Sequence, residues 1–354
     1  MSIDTSRREF IRGALAAGVV AATPTALAAK PDSLVVNGLD PSVMTREYLD
    51  MLKAGGVNCW YPSTGNLLRV QTFCEENKDR VALARTVREI RDLHTRGKMS
   101  IISGWQGAGT LVTKDASVEQ NLQRTYDLGL RILGLAYNLA NDFGGGCLEP
   151  DNGLTQAGRR LVEHTHKLRI ILDVAGHTGE KTSFDALAMS SGVPVICTHT
   201  NIRALNDNPR CSTDKLLEAI AKTGGVIGIT AFNDFHARTR HDVNVLSTPQ
   251  VGLERHLDQY DYLKKLVGVD HIGLGPDFVE GRNGTGPVLP ENRKAIPPEA
   301  YSQMLPFLYV KGFENIAQLP NVADGLRKRG WSEAELRKVM GENWLRVYQT
   351  VWGA

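Results

Sequence analysis

Short apolar runs alternate with longer amphipathic segments along most of this chain. Eight of the runs have the length and the β-branched content of strands, and they are apolar throughout rather than alternating. Strands of this kind are covered on both faces, which is typical of parallel sheets. The eight runs are residues 34–37, 57–61, 99–103, 131–135, 170–174, 194–197, 226–230 and 271–275.

The segments between these runs carry apolar residues at helical spacing. Several of them end at a glycine, which accepts the left-handed conformation that follows a last helical turn. Ser332 and Glu335 match the capping-box pattern at the start of the last segment. The predicted helices span residues 47–54, 118–128, 155–167, 182–191, 214–222, 322–330 and 333–352.

Eight strand–helix repeats over about 250 residues favour a closed (β/α)8 TIM barrel over an open doubly wound sheet. No GxGxxG or GxxxxGK[ST] pattern follows the first run, which argues against the nucleotide-binding alternatives. Residues 279–298 are rich in glycine and proline and predict a long irregular loop at the barrel mouth. We expect the C-terminal helices to pack outside the barrel, so that residues 29–354 form one α/β domain.

The first residues have the pattern of an export signal. Residues 6–11 (SRREFI) contain paired arginines, residues 13–22 are apolar, and residues 26–28 (ALA) offer small side chains for cleavage. An ordinary amphipathic helix is the alternative, but the order of the three features favours a signal. We therefore expect residues 1–28 to be a twin-arginine export signal and the mature protein to be periplasmic.

Composition and charge narrow the classes of partner. Of the 354 residues, 42% are hydrophobic and 23% are charged, which is ordinary for a soluble globular protein. The net charge of +2 predicts no nucleic-acid partner, and no later apolar run reaches the roughly 20 residues of a membrane span. Cys59 and Cys197 lie in apolar runs and are expected to be buried, whereas pairing of the loop residues Cys147 and Cys211 stays open.

Polar residues follow the C-terminal ends of several runs, and this end of a parallel barrel carries its ligand sites. Two histidines follow successive runs at similar offsets, and an arginine and an aspartate follow later. Imidazoles hold metal ions that polarise a carbonyl and acidify water, arginine binds carboxylates, and aspartate moves protons. The candidates are Gln106, Tyr137, His177, His199, Arg210 and Asp277.

Each candidate also has a purely structural interpretation. A single histidine after a strand is more often a hydrogen-bonded loop residue than a ligand, although two at the same offset favour a site. Asp277 is suited to cap the turn that follows it, and Arg210 to form a surface ion pair of little energetic value. His236 and His241 in the polar loop FHARTRHD remain weaker candidates.

The order of these motifs resembles the renal or membrane dipeptidase family of zinc metallopeptidases, which belongs to the amidohydrolase-type barrels. The resemblance extends over residues 34–352, and the block LPNVADGLRKRGWSEAELRKVMGENWLRV is its most specific part. The matching motifs are residues 152–154 (NGL), 173–177 (DVAGH), 198–201 (THTN), 210–211 (RC), 275–278 (GPDF) and 341–347 (GENWLRV).

The resemblance implies roles for four of the candidates and an activity. His177 and His199 match metal ligands, Arg210 matches the arginine that binds the substrate carboxylate, and Asp277 matches the aspartate that handles protons. The implied activity is cleavage of a dipeptide or similar small amide by metal-activated water. The family also implies a small-molecule substrate and a homodimer.

The sequence departs from this family at the other metal positions. A His-x-Asp pair that binds one zinc ion falls on Leu39 and Pro41, and the bridging glutamate falls on Gln106. A substrate-binding histidine falls on Tyr137, so that Gln106 and Tyr137 become substrate-binding candidates. These departures imply a divergent subgroup with one zinc ion at most. A hydrolase of a non-peptide amide and an inactive periplasmic binding protein are the alternatives.

Overall fold

The computed structural model describes residues 33–174, 176–282 and 284–353. The predicted export signal, residues 1–28, lies outside them, so the signal and the periplasmic location stay predictions. Among the described residues, no helix combines the length and the apolar character needed to cross a membrane.

Each of the eight apolar runs overlaps a strand, although run 194–197 shares only Cys197 with its strand. Run 99–103 overlaps two strands, Met99–Ile101 and Ser103–Trp105, which pair with different neighbours. The predictions missed the short strands Val81–Leu83, Gly286–Pro287 and Met304–Leu305. The strands are β1 (Val36–Asn37), β2 (Cys59–Trp60), β3 (Val81–Leu83), β4 (Met99–Ile101), β5 (Ser103–Trp105), β6 (Leu130–Gly134), β7 (Ile171–Asp173), β8 (Cys197–Thr200), β9 (Ile227–Ile229), β10 (Ile272–Leu274), β11 (Gly286–Pro287) and β12 (Met304–Leu305).

Hydrogen bonds join the parallel strands in an order that closes on itself. β2 lies between β1 and β4, β6 lies between β5 and β7, and β9 lies between β8 and β10. A parallel bridge between Asp173 and Ile196 connects β7 to the segment before β8. The backbone N–H of Gly38 donates to the carbonyl of Leu274 at 3.0 Å and connects β1 to β10. This order agrees with the predicted α/β barrel and places the C-terminal ends of the strands on one rim.

The seven predicted helices are present with small shifts at their ends, whereas the helices Leu67–Glu76, Val87–Thr95, Asp234–Ala237 and Leu253–Leu266 were not predicted. The capping box of Ser332 and Glu335 is formed, and a π-helical turn over Lys338–Glu342 divides the last predicted helix into two. The helices are α1 (Arg46–Ala54), α2 (Leu67–Glu76), α3 (Val87–Thr95), α4 (Val118–Asp127), α5 (Gln156–Lys167), α6 (Glu180–Ala188), α7 (Asp214–Lys222), α8 (Asp234–Ala237), α9 (Leu253–Leu266), α10 (Leu319–Lys328), α11 (Glu333–Arg337) and α12 (Asn343–Trp352).

Helix α12 packs its side chains against apolar residues of the ring of strands. The sequence predicted that the C-terminal helices pack outside the barrel, and this prediction is wrong for α12. Its side chains join one hydrophobic cluster with apolar residues of successive strands, from Val36 to Val226. Trp344 donates its indole N–H to the carbonyl of Leu274 at 3.1 Å. The helix is apolar around most of its surface, so burial on several sides is its favourable position.

The described residues of the mouth loop after β10 are mostly irregular, as predicted, with a 3₁₀ turn at Pro290–Asn292 and one short pairing. Gly286 and Pro287 pair with Leu305 and Met304, which lie beyond the loop, in an antiparallel ladder. The carbonyl of Ala295 in this loop accepts a hydrogen bond from Asn138 at 3.0 Å. The loop therefore contacts the segment that follows β6, at the rim where the candidate residues lie.

Candidate active site

The candidates from β7, β8 and β10 meet at the rim of the barrel. The rings of His177 and His199 lie with their centroids 4.8 Å apart. Arg210 Nη2 lies 3.1 Å from His177 Nε2, and Asp277 Oδ2 lies 3.9 Å from His199 Nε2. The convergence predicted from the spacing of the sequence is therefore present for all four residues.

The two nitrogens of His177 both have partners. Nδ1 lies 2.7 Å from Asn138 Oδ1, and Nε2 lies 3.1 Å from Arg210 Nη2. A guanidinium only donates, so Nε2 accepts and the ring carries its proton on Nδ1. Burial, Arg210 and His199 hold the pKa of His177 well below its usual value, so the ring is neutral.

His199 presents one nitrogen without a partner. Its Nδ1 lies 2.9 Å from Thr198 Oγ1, and that hydroxyl donates to Asp173 Oδ2 at 2.6 Å. The hydroxyl therefore accepts from Nδ1–H, which leaves Nε2 unprotonated. Nε2 is buried and has no hydrogen-bond partner. Burial and then Arg210 lower the pKa of His199 well below its usual value, so this lone pair is available at neutral pH.

The guanidinium of Arg210 is buried, and only some of its N–H donors have hydrogen-bond partners. Its Nε donates to the hydroxyl of Tyr301 at 2.8 Å and its Nη2 donates to His177, whereas Nη1 has no partner. A Cβ atom on Gly176 would come within 2.6 Å of Nη1, so glycine leaves room beside this nitrogen. A buried unpaired donor of a permanent cation is suited to bind a carboxylate.

Asp277 is strained and weakly acidic. Its backbone lies in the left-handed region at a φ of 59°, which Asp tolerates better than most residues. Burial raises the pKa of Asp277 to about 7, against the opposing effect of Arg210 and with a further contribution from Asp40. Asp277 is therefore able to give and take a proton near neutral pH, beside the free Nε2 of His199.

Replacing Asp277 with asparagine is expected to flatten the pH dependence of stability. Because its folded-state pKa is raised, Asp277 stabilises the fold most below pH 4, and this contribution is lost as the pH rises to about 7. A shift of the pKa from 3.8 to about 7 corresponds to a change of at most about 4 kcal/mol in the free energy of unfolding. Urea unfolding at pH 4 to 8 measures it, with Asp115→Asn on an exposed loop as the control. If the free energy of unfolding of the Asp277→Asn protein depends on pH as steeply as that of the natural chain, the raised pKa of Asp277 is contradicted.

Tyr137 and Gln106 border a cleft beside this cluster. The ring of Tyr137 stacks on His177 with centroids 4.0 Å apart, and about half of its surface stays exposed. Gln106 Oε1 is buried without a hydrogen-bond partner. Both residues line a cleft of about 370 Å³ that opens at the rim. Their predicted role in substrate binding is compatible with this placement and stays a prediction.

Several residues of the site were assigned no role from the sequence. Asn138 and Thr198 orient the two imidazoles, and Tyr301 supports Arg210. Asn138 directly follows Tyr137 at a strand end, and Thr198 directly precedes His199, so both lie where a site residue is expected. Tyr301 lies 91 positions after Arg210 in the sequence, and no local pattern signals such a contact.

The weaker candidates have structural roles. His236 is buried and its Nε2 lies 3.0 Å from the carbonyl of Thr230, away from the cluster, while His241 is exposed. All five cysteines are free, so Cys147 and Cys211 form no disulfide here. Cys59 and Cys197 are buried, as expected from their apolar runs.

With this geometry established, comparison with protein-family models matches residues 65–290 and 307–353 to the family described as membrane dipeptidase, peptidase family M19. The matched segments include all four clustered residues. The chain belongs to the membrane dipeptidase family. The resemblance noted in the sequence is thereby confirmed for the family, while its assignment to a divergent subgroup stays a proposal.

Individual relatives of this dipeptidase-family chain agree with its fold. It is 34% identical over 241 residues to a Klebsiella pneumoniae protein described as uncharacterized and lying in the pqqA 5′ region, covering 66% of this chain and 76% of that protein. A solved amidohydrolase from Pseudomonas aeruginosa is 28% identical with a TM-score of 0.78, covering 92% and 98% of the two chains. The solved dipeptidase AC, described as a metallo peptidase, has a TM-score of 0.70 at 23% identity and covers 91% and 99%.

The donor set of this family member does not fit a resident zinc ion. Catalytic zinc sites generally use three protein ligands, and among the described residues no group of three or more His, Cys, Asp or Glu side chains is arranged to hold a metal. His177 offers no free lone pair, because Arg210 donates to its Nε2. Only His199 Nε2 and the Asp277 carboxyl remain. The sequence predicted one zinc ion at most, with His177 and His199 as its ligands, and this placement leaves only one of the two imidazoles with a free lone pair.

Proposed function

We propose that this membrane dipeptidase family member hydrolyses a dipeptide or a similar small amide that carries a carboxylate. The free Nε2 of His199, 3.9 Å from Asp277 Oδ2 and in one cluster with the guanidinium of Arg210, carries this proposal. A base and a weak acid can move the protons of amide hydrolysis, and a buried cation can bind a substrate carboxylate. We expect Arg210 Nη1 to bind the carboxylate.

The proton transfers in this proposal use the two facing groups. His199 Nε2 takes a proton from the water that attacks the amide carbonyl, and protonated Asp277 gives its proton to the leaving nitrogen. The negative charge that then forms on Asp277 favours the imidazolium 3.9 Å away. Transfer of the proton from His199 to Asp277 restores the starting state. The Thr198–Asp173 hydrogen bond holds the required tautomer of His199.

A binding protein without turnover is the second candidate. The incomplete set of metal donors favours it. The solved relative described as a metallo peptidase belongs to a class of enzymes that use metal ions, whereas the described residues of this chain offer too few ligands for one. In this case, Arg210 and the cleft beside Tyr137 would hold the same small carboxylate ligand. Ligand-induced stabilisation without product would then be the full extent of the function.

Product release from a panel of dipeptides, measured on protein purified without chelators, tests the proposal. We expect release of free amino acids and far less than one zinc ion per chain by elemental analysis, since the donors for a zinc ion are incomplete. Thermal shifts with the same dipeptides follow binding independently. Shifts without release would support the binding protein. Stoichiometric zinc, with activity lost on dialysis against a chelator, would contradict the metal-independent site.

A further inference from the structure

The cleft beside the proton-transfer pair has a composition that restricts its ligand. It has a volume of about 370 Å³, and Tyr137 connects it to the site because the same ring lines the cleft and stacks on His177. The end of a substrate that points away from Arg210 has this cleft available. The chemistry of its walls therefore bears on the substrate class.

The charged lining of the cleft is basic. Arg282 is the one charged side chain among the described residues that line it. Partial burial and the neighbouring Arg69 lower the pKa of the Arg282 guanidinium, while the more deeply buried Asp40 opposes them. Arg69 is near enough to act on Arg282, but it does not line the cleft. An ammonium group placed in the cleft meets the Arg282 guanidinium and, among the described lining residues, no carboxylate.

The neutral lining supplies further donors without partners. Trp105 is 8% exposed, and its indole Nε1, which only donates, has no hydrogen-bond partner. The hydroxyl of Ser63 is likewise buried and unpartnered. Both residues line the same cleft as Arg282. Buried polar groups are normally satisfied, so these donors indicate a polar ligand that accepts hydrogen bonds.

We propose that the substrate carries a second anionic group, bound in this cleft by Arg282 and the donors of Trp105 and Ser63. The preferred substrate is then a small amide with a carboxylate at each end, such as an N-dicarboxylacyl amino acid, and a dipeptide with a free ammonium group binds more weakly. This inference rests on the proposed function, because Arg210 must hold the other carboxylate. Gln106 Oε1 is available to accept the amide N–H.

Three ligands of matched length test the inference: N-succinyl-alanine, N-butyryl-alanine and 4-aminobutyryl-alanine, which end in a carboxylate, a methyl and an ammonium group. Calorimetry at pH 7 measures their dissociation constants on the full chain. We expect N-succinyl-alanine to bind about two- to fivefold more tightly than the butyryl compound, and the ammonium compound to bind most weakly. Arg282→Gln should abolish the succinyl preference, and the exposed control Arg88→Gln should keep it.

The outcomes separate this inference from the proposed function. Equal binding of the three ligands, or tighter binding of the ammonium compound, overturns the second anionic site and leaves the Arg210 carboxylate site standing. A preference for N-succinyl-alanine that survives Arg282→Gln also overturns the assignment to this cleft. If none of the ligands binds, both the inference and the proposed function fail.

Discussion

Replacing His199 with glutamine is expected to lower the rate of amide hydrolysis by about 10²- to 10⁴-fold, the usual contribution of a positioned general base. Glutamine keeps a polar side chain of similar size but has no nitrogen lone pair that can take a proton. In the proposed function the ligand carboxylate binds Arg210, so the dissociation constant should change much less than kcat. Initial rates and calorimetry on the same protein measure the two effects.

The matched control for this variant is His166→Gln. His166 lies on α5, and its Nε2 lies 2.9 Å from Ser190 Oγ. This hydrogen bond involves none of the clustered residues of the rim. We expect its activity to match that of the natural chain. Equal rates for the His199→Gln protein and the natural chain would remove His199 from the reaction. A loss of binding that equals the loss of rate would assign it to ligand binding instead.

Replacing Arg210 with methionine is expected to have the largest effect on affinity. Truncating one partner of a buried charged pair costs about 2–5 kcal/mol of binding free energy, which is more than tenfold in the dissociation constant. Methionine fills much of the same volume, but it leaves His177 Nε2 and the Tyr301 hydroxyl without Arg210. We therefore also expect a lower free energy of unfolding, by about 1–3 kcal/mol for each unsatisfied group.

Two measurements keep the binding effect distinct from the stability effect. Calorimetry is carried out at a temperature where circular dichroism shows the Arg210→Met protein to be folded. Arg240→Met provides the same substitution at a surface ion pair with Asp207, and it should leave affinity unchanged. If a folded Arg210→Met protein binds dipeptides as tightly as the natural chain, the carboxylate lies elsewhere.

Many elements of this fold could be predicted from the sequence because their signals are local. Strands β6, β7, β9 and β10 are buried and overlap apolar runs, and helix α7 ends where its amphipathic pattern ends. Strand β3 was missed because its three residues form too short a run to stand out. The predicted position of α12 was wrong because the spacing of its apolar residues shows which faces of the helix are buried but not what those faces pack against.

The site could be predicted only in part, because only some of its features have a local signal in the sequence. His177 and His199 are delivered by neighbouring strands, so their spacing predicts that they meet. Their states depend on contacts that no local pattern encodes, above all the hydrogen bond from Arg210 to His177. That single bond occupies the lone pair that a shared ion needs. The sequence therefore predicts where the imidazoles lie but not which nitrogen is free.

The most direct test of this account is the state of His199 Nε2. Nitrogen NMR of protein labelled with ¹⁵N-histidine distinguishes protonated, unprotonated and metal-bound ring nitrogens, and the signals lost in the His199→Gln protein provide the assignment. We predict an unprotonated, metal-free Nε2 at neutral pH with the proton on Nδ1, and a change at Nε2 when a carboxylate ligand binds. A protonated or metal-bound Nε2 in the ligand-free protein would contradict the account.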